Sequence, residues 1–253
     1  MRFLIMGDSW GCGEWYKEFT ISRDAPSEHH HKSHRSDDEW FTCGVVPNTD
    51  VGEYLRTYDH HCTNIAVGGD ANLKQLAKLK THLENDSNYD MILWFHTEPV
   101  RDYVDHFKHL TNDFSHYDSY EQVMTEWFDM TYSKYQGLYD QYQIPFFAIG
   151  GMSPLHPVID NYAFVKYKLA DWANDLIFDE FVPHGYNVGN FPSFATIFPN
   201  FNEEKLVNES RSTLDWIQHC YSHANFPDWG HPDRHAHQRL ASYISHFLVD
   251  INS

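Results

Sequence analysis

Long apolar segments are absent from this sequence: no run approaches the roughly 20 residues that a membrane-spanning helix requires. The first residues, MRFLIMGDSWG, contain one basic residue and too short an apolar core for a signal peptide, so we predict none. Four cysteines form no CxxC pair, which argues against a zinc site and favours free thiols. We therefore expect a protein that is not inserted in a membrane.

Basic residues are also scarce, since 18 Lys and Arg stand against 36 Asp and Glu and give a net charge of −18. A surface this negative repels phosphate backbones, so nucleic acid is not expected as a partner. The 19 histidines include the run His29-His30-His31, followed by His34. No predicted helix or strand fixes these rings, so a solvated loop is favoured over a metal site.

Short apolar segments alternate with amphipathic ones along the 253 residues. The pattern predicts buried strands at 3–6, 62–67, 91–95 and 144–149. It predicts helices at 71–85, from 119 onwards, and at 164–177, 202–221 and 233–250. Residues at about 22–50 show no period and predict an irregular surface excursion. With no linker or repeat, we predict one α/β domain over 1–253, with a central parallel sheet between two helical layers.

Polar residues follow the predicted strands, where ligands bind in parallel sheets. A serine hydroxyl becomes a nucleophile when a base removes its proton, and a histidine can act as that base near neutral pH. An aspartate three residues before the histidine can orient its imidazole. The candidate segments are Gly7-Asp8-Ser9-Trp10, Gly68-Gly69-Asp70-Ala71-Asn72, His96-Thr97-Glu98-Pro99 and Asp228-Trp229-Gly230-His231-Pro232.

These segments resemble the SGNH/GDSL hydrolase family, which has a GDS after its first strand and a late D-x-x-H-P. The resemblance implies a flavodoxin-like fold with Ser9 as nucleophile and Asp228 and His231 completing a catalytic triad. It also implies an oxyanion hole that includes the backbone amides of Ser9 and Gly69. The family has an asparagine donor where this chain has Glu98, and an ionised carboxylate cannot donate a hydrogen bond. Protonated Glu98 or Thr97 would have to replace it, or Glu98 instead pairs with Arg101 outside the oxyanion hole.

The activity that the resemblance implies is a serine esterase that forms an acyl-enzyme and needs no cofactor. A small acyl ester is the expected substrate, such as an O-acetyl group on a carbohydrate or another small molecule. We expect four residues to line the substrate pocket: Trp10, Asn72, His96 and Trp229. The expected location is the cytoplasm or, if a phage encodes the chain, the virion. The alternative is a non-catalytic binding or particle-associated module, motivated by Glu98 and by the 22–50 excursion; the oligomeric state stays open.

Overall fold

A computed structural model of the chain describes residues 1–18, 31–36, 39–45, 48–102, 120–183, 215–216, 218–220, 222–226 and 231–250. Its strands and principal α-helices follow in chain order: β1 (Arg2–Gly7), α1 (Ser9–Cys12), β2 (Trp15–Glu18), β3 (His31–Ser36), β4 (Glu39–Val45), α2 (Val51–Arg56), β5 (His61–Asn64), α3 (Asn72–Asn85), β6 (Met91–His96), α4 (Pro99–Asp102), α5 (Tyr120–Tyr142), β7 (Phe146–Gly150), β8 (Val165–Leu169) and α6 (Arg234–Asp250).

Five parallel strands form the central sheet in the order β5-β1-β6-β7-β8. The chain adds β5 on one side of β1 and then returns to add β6 on the other side. This strand order is the flavodoxin-like one, and the reversal opens a crevice at the carboxyl ends of β1 and β6. The predicted α/β class with a central parallel sheet is therefore confirmed.

The central strands are apolar along their length because helices cover both faces of the sheet. In β1, Leu4 and Met6 pack on the side of α3 and α5. Phe3 and Ile5 pack on the opposite side, against α2 and α6. The alternation follows from the two-residue period of a strand, and it produces the three layers that the sequence predicts.

The prediction of an irregular segment at about 22–50 is wrong for 31–36 and 39–45. These residues form β3 and β4, which pair with β2 in an antiparallel sheet of order β2-β4-β3. The sequence of β3, HKSHRS, contains no apolar residue, so its extended backbone produces no hydrophobic period. Residues 19–30 of this segment, with His29 and His30, lie outside the described residues.

The predicted helix at 164–177 is also wrong at its start, where 165–169 form β8 at the edge of the sheet. Its sequence, VKYKL, alternates half-buried and exposed side chains until the buried Leu169. A π-helical turn follows at Ala173–Ile177. Of the helix predicted at 202–221, the described residues 215–216 and 218–220 are helical, and 202–214 lie outside them. None of the helices in the described part of the chain is long and apolar enough to cross a membrane.

Candidate active site

The turn after β1 places Ser9 at the carboxyl edge of the sheet. A side chain at Gly7 would lie 2.5 Å from the Phe95 Cβ of the neighbouring strand, so only glycine fits there. Asp8 caps α1, and its Oδ1 accepts a hydrogen bond of 2.9 Å from the backbone N–H of Trp10. The cap holds Ser9 as the first residue of this short helix, with 6% of its surface exposed.

His231 lies opposite this turn, with its Nε2 3.0 Å from the Oγ of Ser9. The two residues are 222 positions apart in the chain and come together just before α6 begins. The distance is that of a hydrogen bond between a nucleophile and a general base. The structure therefore brings together two members of the predicted triad.

Two further contacts hold the segment that contains His231. Asp233 caps α6, with its Oδ1 accepting from the Ala236 N–H at 2.9 Å and from the Asn225 side chain at 3.3 Å. Arg234 donates from Nε to the Oε2 of Glu14 at 2.8 Å, which connects the start of α6 to the segment after α1. These contacts fix the backbone on the carboxyl side of His231, so its imidazole approaches Ser9 from a defined direction.

Asp228 and Trp229 fall in 227–230, outside the described residues. Asp228 as the third member of the triad, and Trp229 as a substrate contact, therefore stay predictions.

A group of buried charged side chains lies beside the turn that holds Ser9. The Oε1 of Glu98 accepts from the Arg101 Nε at 2.5 Å, and its Oε2 accepts from the Thr97 hydroxyl at 2.7 Å. The Arg101 Nη1 lies 3.8 Å from the Oδ2 of Asp8. The predicted pair between Glu98 and Arg101 is therefore present. Both oxygens of Glu98 are thus engaged by neighbouring side chains.

Burial raises the pKa of Asp8 to about 6. The charge of Arg101 opposes this rise, whereas the carboxylate of Glu98 adds to it. The carboxyl directly before Ser9 thus has a pKa well above its ordinary value.

Gly69, the second predicted oxyanion donor, lies in an exposed turn before α3. Its φ is +77°, a conformation that favours glycine, and open space surrounds the position where a side chain would begin. The positive φ is therefore a sufficient reason for a glycine at position 69. The amides of Ser9 and Gly69 as oxyanion donors stay a prediction, as does Thr97, whose hydroxyl donates to Glu98.

Asn72 lies in the interior, where its amide joins the start of α3 to the end of β6. Its Nδ2 donates to the carbonyl of Thr97 and to the Oδ2 of Asp102, both at 2.9 Å. Its Oδ1 accepts from the Thr97 N–H at 3.0 Å. Asp102 completes the connection by accepting from the Leu73 N–H at 2.7 Å. The predicted substrate contact is thus a buried structural bridge, because its polar atoms are engaged inside the protein.

Trp10 and His96 are likewise fully buried. Trp10 stacks on Trp216 at 5.9 Å and meets Trp172 edge-on at 5.5 Å. His96 lies 3.2 Å from the Tyr132 hydroxyl, and burial lowers its pKa to about 3. Both side chains point from the sheet edge into the helical layers, so the predicted substrate-lining role does not match their positions.

Residues that the sequence argument missed include Asp102 and Asp233. Asp102 has no local signal, because its partners Asn72 and Leu73 are about 30 positions away. Asp233 does have one, since an aspartate directly before an amphipathic helix is typical of an N-cap. In the described part of the chain, no group of three or more His, Cys, Asp or Glu side chains is arranged to hold a metal ion.

No protein-family model matches the chain, and no curated protein matches it. Among solved structures, the crystal structure of TesA matches over 85% of this chain and 95% of its own, at 10% sequence identity and a TM-score of 0.37. The chain is thus similar to TesA at a level that leaves its function to be argued from the site itself.

Proposed function

We propose that this chain is a serine hydrolase of the SGNH/GDSL type, folded as one domain over 1–253, which cleaves a small acyl ester. The observation that supports the proposal is the contact of 3.0 Å between the Ser9 Oγ and the His231 Nε2. It lies at the carboxyl ends of β1 and β6, beside the crevice where ligands bind in sheets of this topology.

In the proposed reaction, His231 Nε2 takes the hydroxyl proton as the Ser9 Oγ attacks the carbonyl carbon of the ester. The tetrahedral intermediate collapses, the ester C–O bond breaks, and the imidazolium returns the proton to the departing alkoxide. A water molecule then attacks the acyl group on Ser9 with the same imidazole as base, which releases the carboxylic acid. Positioned proton transfer of this kind contributes on the order of 10²–10⁴ in rate. Asp228 is proposed to hold the imidazole in the tautomer that has Nε2 unprotonated.

The proposed oxyanion hole consists of the backbone amides of Ser9 and Gly69. We do not propose Glu98 as a third donor, because Thr97 and Arg101 engage both of its oxygens. One missing donor costs on the order of 10²–10³ in rate, so turnover slower than that of a site with three donors is expected.

A small acyl group is proposed because the hydroxyl that must receive it is only slightly accessible. Ser9 is 6% exposed, and the aromatic side chains behind it are packed against one another. Acetyl esters, including O-acetylated carbohydrates, are therefore the first class of substrate to test.

The test is hydrolysis of a series of p-nitrophenyl esters from acetyl to octanoyl by the full chain. We expect kcat/KM to be highest for acetyl and to fall with acyl length. Ser9→Ala and His231→Ala should each lower kcat by at least about 10³. The matched control is Ser133→Ala, which removes an exposed hydroxyl from α5 and should hydrolyse acetate like the wild type. Activity that survives Ser9→Ala would contradict the proposal.

The alternative is a binding module that retains the fold without the chemistry. The engaged carboxylate of Glu98, at the position where the resembled family has an asparagine donor, favours it. Such a module would bind an acetylated oligosaccharide in calorimetry and release no acetate from it. Release of acetate that depends on Ser9 would exclude this alternative.

A further inference from the structure

The nucleophile turn is packed against three charged side chains that are largely shielded from water. Asp8 is 0% exposed and Glu98 is 1% exposed, while the Arg101 side chain is 20% exposed. Two carboxylates thus share one guanidinium, which leaves a residual charge of −1 in a region of low dielectric when all three are ionised. Buried charge of this kind is costly unless a partner compensates it.

Arg101 is fixed between the ends of three strands. Its Nε donates to Glu98, and its Nη2 donates to the Sδ of Met152 at 3.6 Å, just after β7. Its Nη1 faces the Oδ2 of Asp8 at 3.8 Å, which is longer than a hydrogen bond. Arg101 therefore acts on Asp8 through its charge.

We infer that Arg101 is a positioning residue for the nucleophile: its charge keeps Asp8 ionised, and ionised Asp8 holds the Ser9 turn opposite His231. The second link is the hydrogen bond of 2.9 Å from the Trp10 N–H to Asp8, which is stronger when the acceptor is charged. The inference rests on the proposed function, because the turn that Asp8 fixes is the one that presents the Ser9 hydroxyl.

The groups that act on Asp8 come from several elements. Burial raises its pKa, the charge of Arg101 lowers it, and Glu98 raises it, in descending order of effect. The Thr97 hydroxyl and the Trp10 N–H lower it further. Cys12 donates from Sγ to the Asp8 carbonyl at 3.3 Å, and His231 contacts the Oγ of the neighbouring Ser9 at 3.0 Å. The charge of Asp102 acts on Arg101.

This order of effects predicts an order of pKa values for Asp8 in four proteins. Glu98→Gln leaves the guanidinium unopposed and should give the lowest pKa, followed by the wild type. The double variant Glu98→Gln/Arg101→Gln loses both charges and should lie above the wild type, because Arg101 has the larger effect. Arg101→Gln leaves only the repelling carboxylate and should give the highest pKa.

The test measures Asp8 and catalysis separately in all four proteins. The ¹³C resonance of the Asp8 carboxyl reports its ionisation, and kcat/KM for p-nitrophenyl acetate between pH 5 and pH 9 reports catalysis. We expect the acidic limb of kcat/KM to move in the same order as the carboxyl titration. Arg101→Gln should be on the order of 10-fold slower than wild type at pH 7 and recover towards pH 9. Arg101→Lys should restore the wild-type profile within about threefold, since it keeps the charge.

The variant Asp8→Asn separates an effect of Arg101 on Asp8 from an effect of Arg101 on His231. Asparagine keeps a side-chain oxygen for the Trp10 N–H but does not titrate. In the Asp8→Asn protein, adding Arg101→Gln should not shift the acidic limb of the kcat/KM profile. If the acidic limb of kcat/KM still shifts in this double variant, the effect of Arg101 is on His231, and the inference is overturned.

A uniform loss of activity at every pH, with a lower Tm, would show a merely structural role and would also overturn it. Should Arg101→Gln not fold, the double variant Glu98→Gln/Arg101→Gln is compared with Glu98→Gln, because the two differ only in the charge of Arg101. The Asp8 pKa should be higher in the double variant, and equal pKa values would refute the inference. The wild type could lack esterase activity while the Asp8 pKa values of the four proteins still follow the expected order. This result would refute the proposed function and the link to catalysis. Only the control of the Asp8 pKa by Arg101 would then stand.

Discussion

Acid should destabilise this protein through histidines that are buried as neutral rings. His96 and His237 are both 0% exposed, and burial lowers the pKa of each to about 3. For His96 the nearby His156 adds to this lowering, and for His237 the backbone of Gly13 opposes it. The unfolded chain binds these protons below about pH 6.5, whereas the folded protein does so only near pH 3. Stability should therefore be lost as pH falls through this window.

The expected size follows from linkage. Between pH 8 and pH 5, each buried histidine removes about 2 kcal/mol of unfolding free energy. Asp8 acts in the opposite direction, because its folded pKa of about 6 lies above the ordinary value of 3.8. Its proton uptake in the folded state adds about 1.4 kcal/mol at pH 5. The net loss from these three groups is about 2–3 kcal/mol, a large part of the 5–15 kcal/mol that is typical of folded proteins.

The perturbation is His237→Gln, which removes one buried imidazole and keeps an amide in its place beside Trp172. Urea denaturation at pH 8 and pH 5 measures the loss of unfolding free energy for wild type and variant. Between pH 8 and pH 5, we expect His237→Gln to lose about 2 kcal/mol less unfolding free energy than the wild type. This difference does not depend on how far the substitution lowers the stability at pH 8. The control is His246→Gln, on the exposed side of the same helix, which should keep the wild-type loss. Equal losses in wild type and His237→Gln would refute the reasoning.

Five further substitutions have expected outcomes. Asp233→Ala should lower the unfolding free energy in urea by about 1 kcal/mol, because it removes the cap of α6, and Asp233→Asn should restore most of it. Glu98→Gln should lower the unfolding free energy by roughly 1.5–3 kcal/mol, because it weakens the hydrogen bonds that Thr97 and Arg101 donate to Glu98. Its kcat/KM at the pH plateau should stay within about threefold of the wild-type value. A rise in kcat/KM of tenfold or more would place Glu98 in the oxyanion site. Gly69→Ala should lower the Tm, with a cost of about 1 kcal/mol for its φ of +77°, whereas Gly137→Ala in open space on α5 should raise it.

The sheet was predictable where a strand is covered on both faces, because such strands are continuous apolar runs. β1 and β7 are of this kind, with the segments FLIM and FFAI buried throughout. β8 was not recognised, because it lies at the edge of the sheet and its lysines alternate with half-buried side chains. A polar strand such as β3 depends on its pairing with β4, which hydrophobic patterning does not register.

The candidate site shows a similar division. Ser9 and His231 were predictable as partners from the resemblance of their segments to the GDS and D-x-x-H-P motifs of the SGNH/GDSL family. The direction of the neighbouring side chains was not predictable. His96 ends β6 on the same face as Trp94 and so points into the helical layer, against Phe128. The contact between Arg101 and Asp8 depends on the fold and has no local sequence signal.

The central claim is that Ser9 is a nucleophile activated by His231, and covalent labelling tests it most directly. A fluorophosphonate probe forms a bond to a serine Oγ only where a base activates that hydroxyl. The account predicts one probe per chain, mapped by mass spectrometry of peptides to Ser9, with labelling lost in Ser9→Ala and slowed by at least about 10³ in His231→Ala. A wild-type protein that remains unlabelled while folded, or one whose label maps to another serine, would contradict the account.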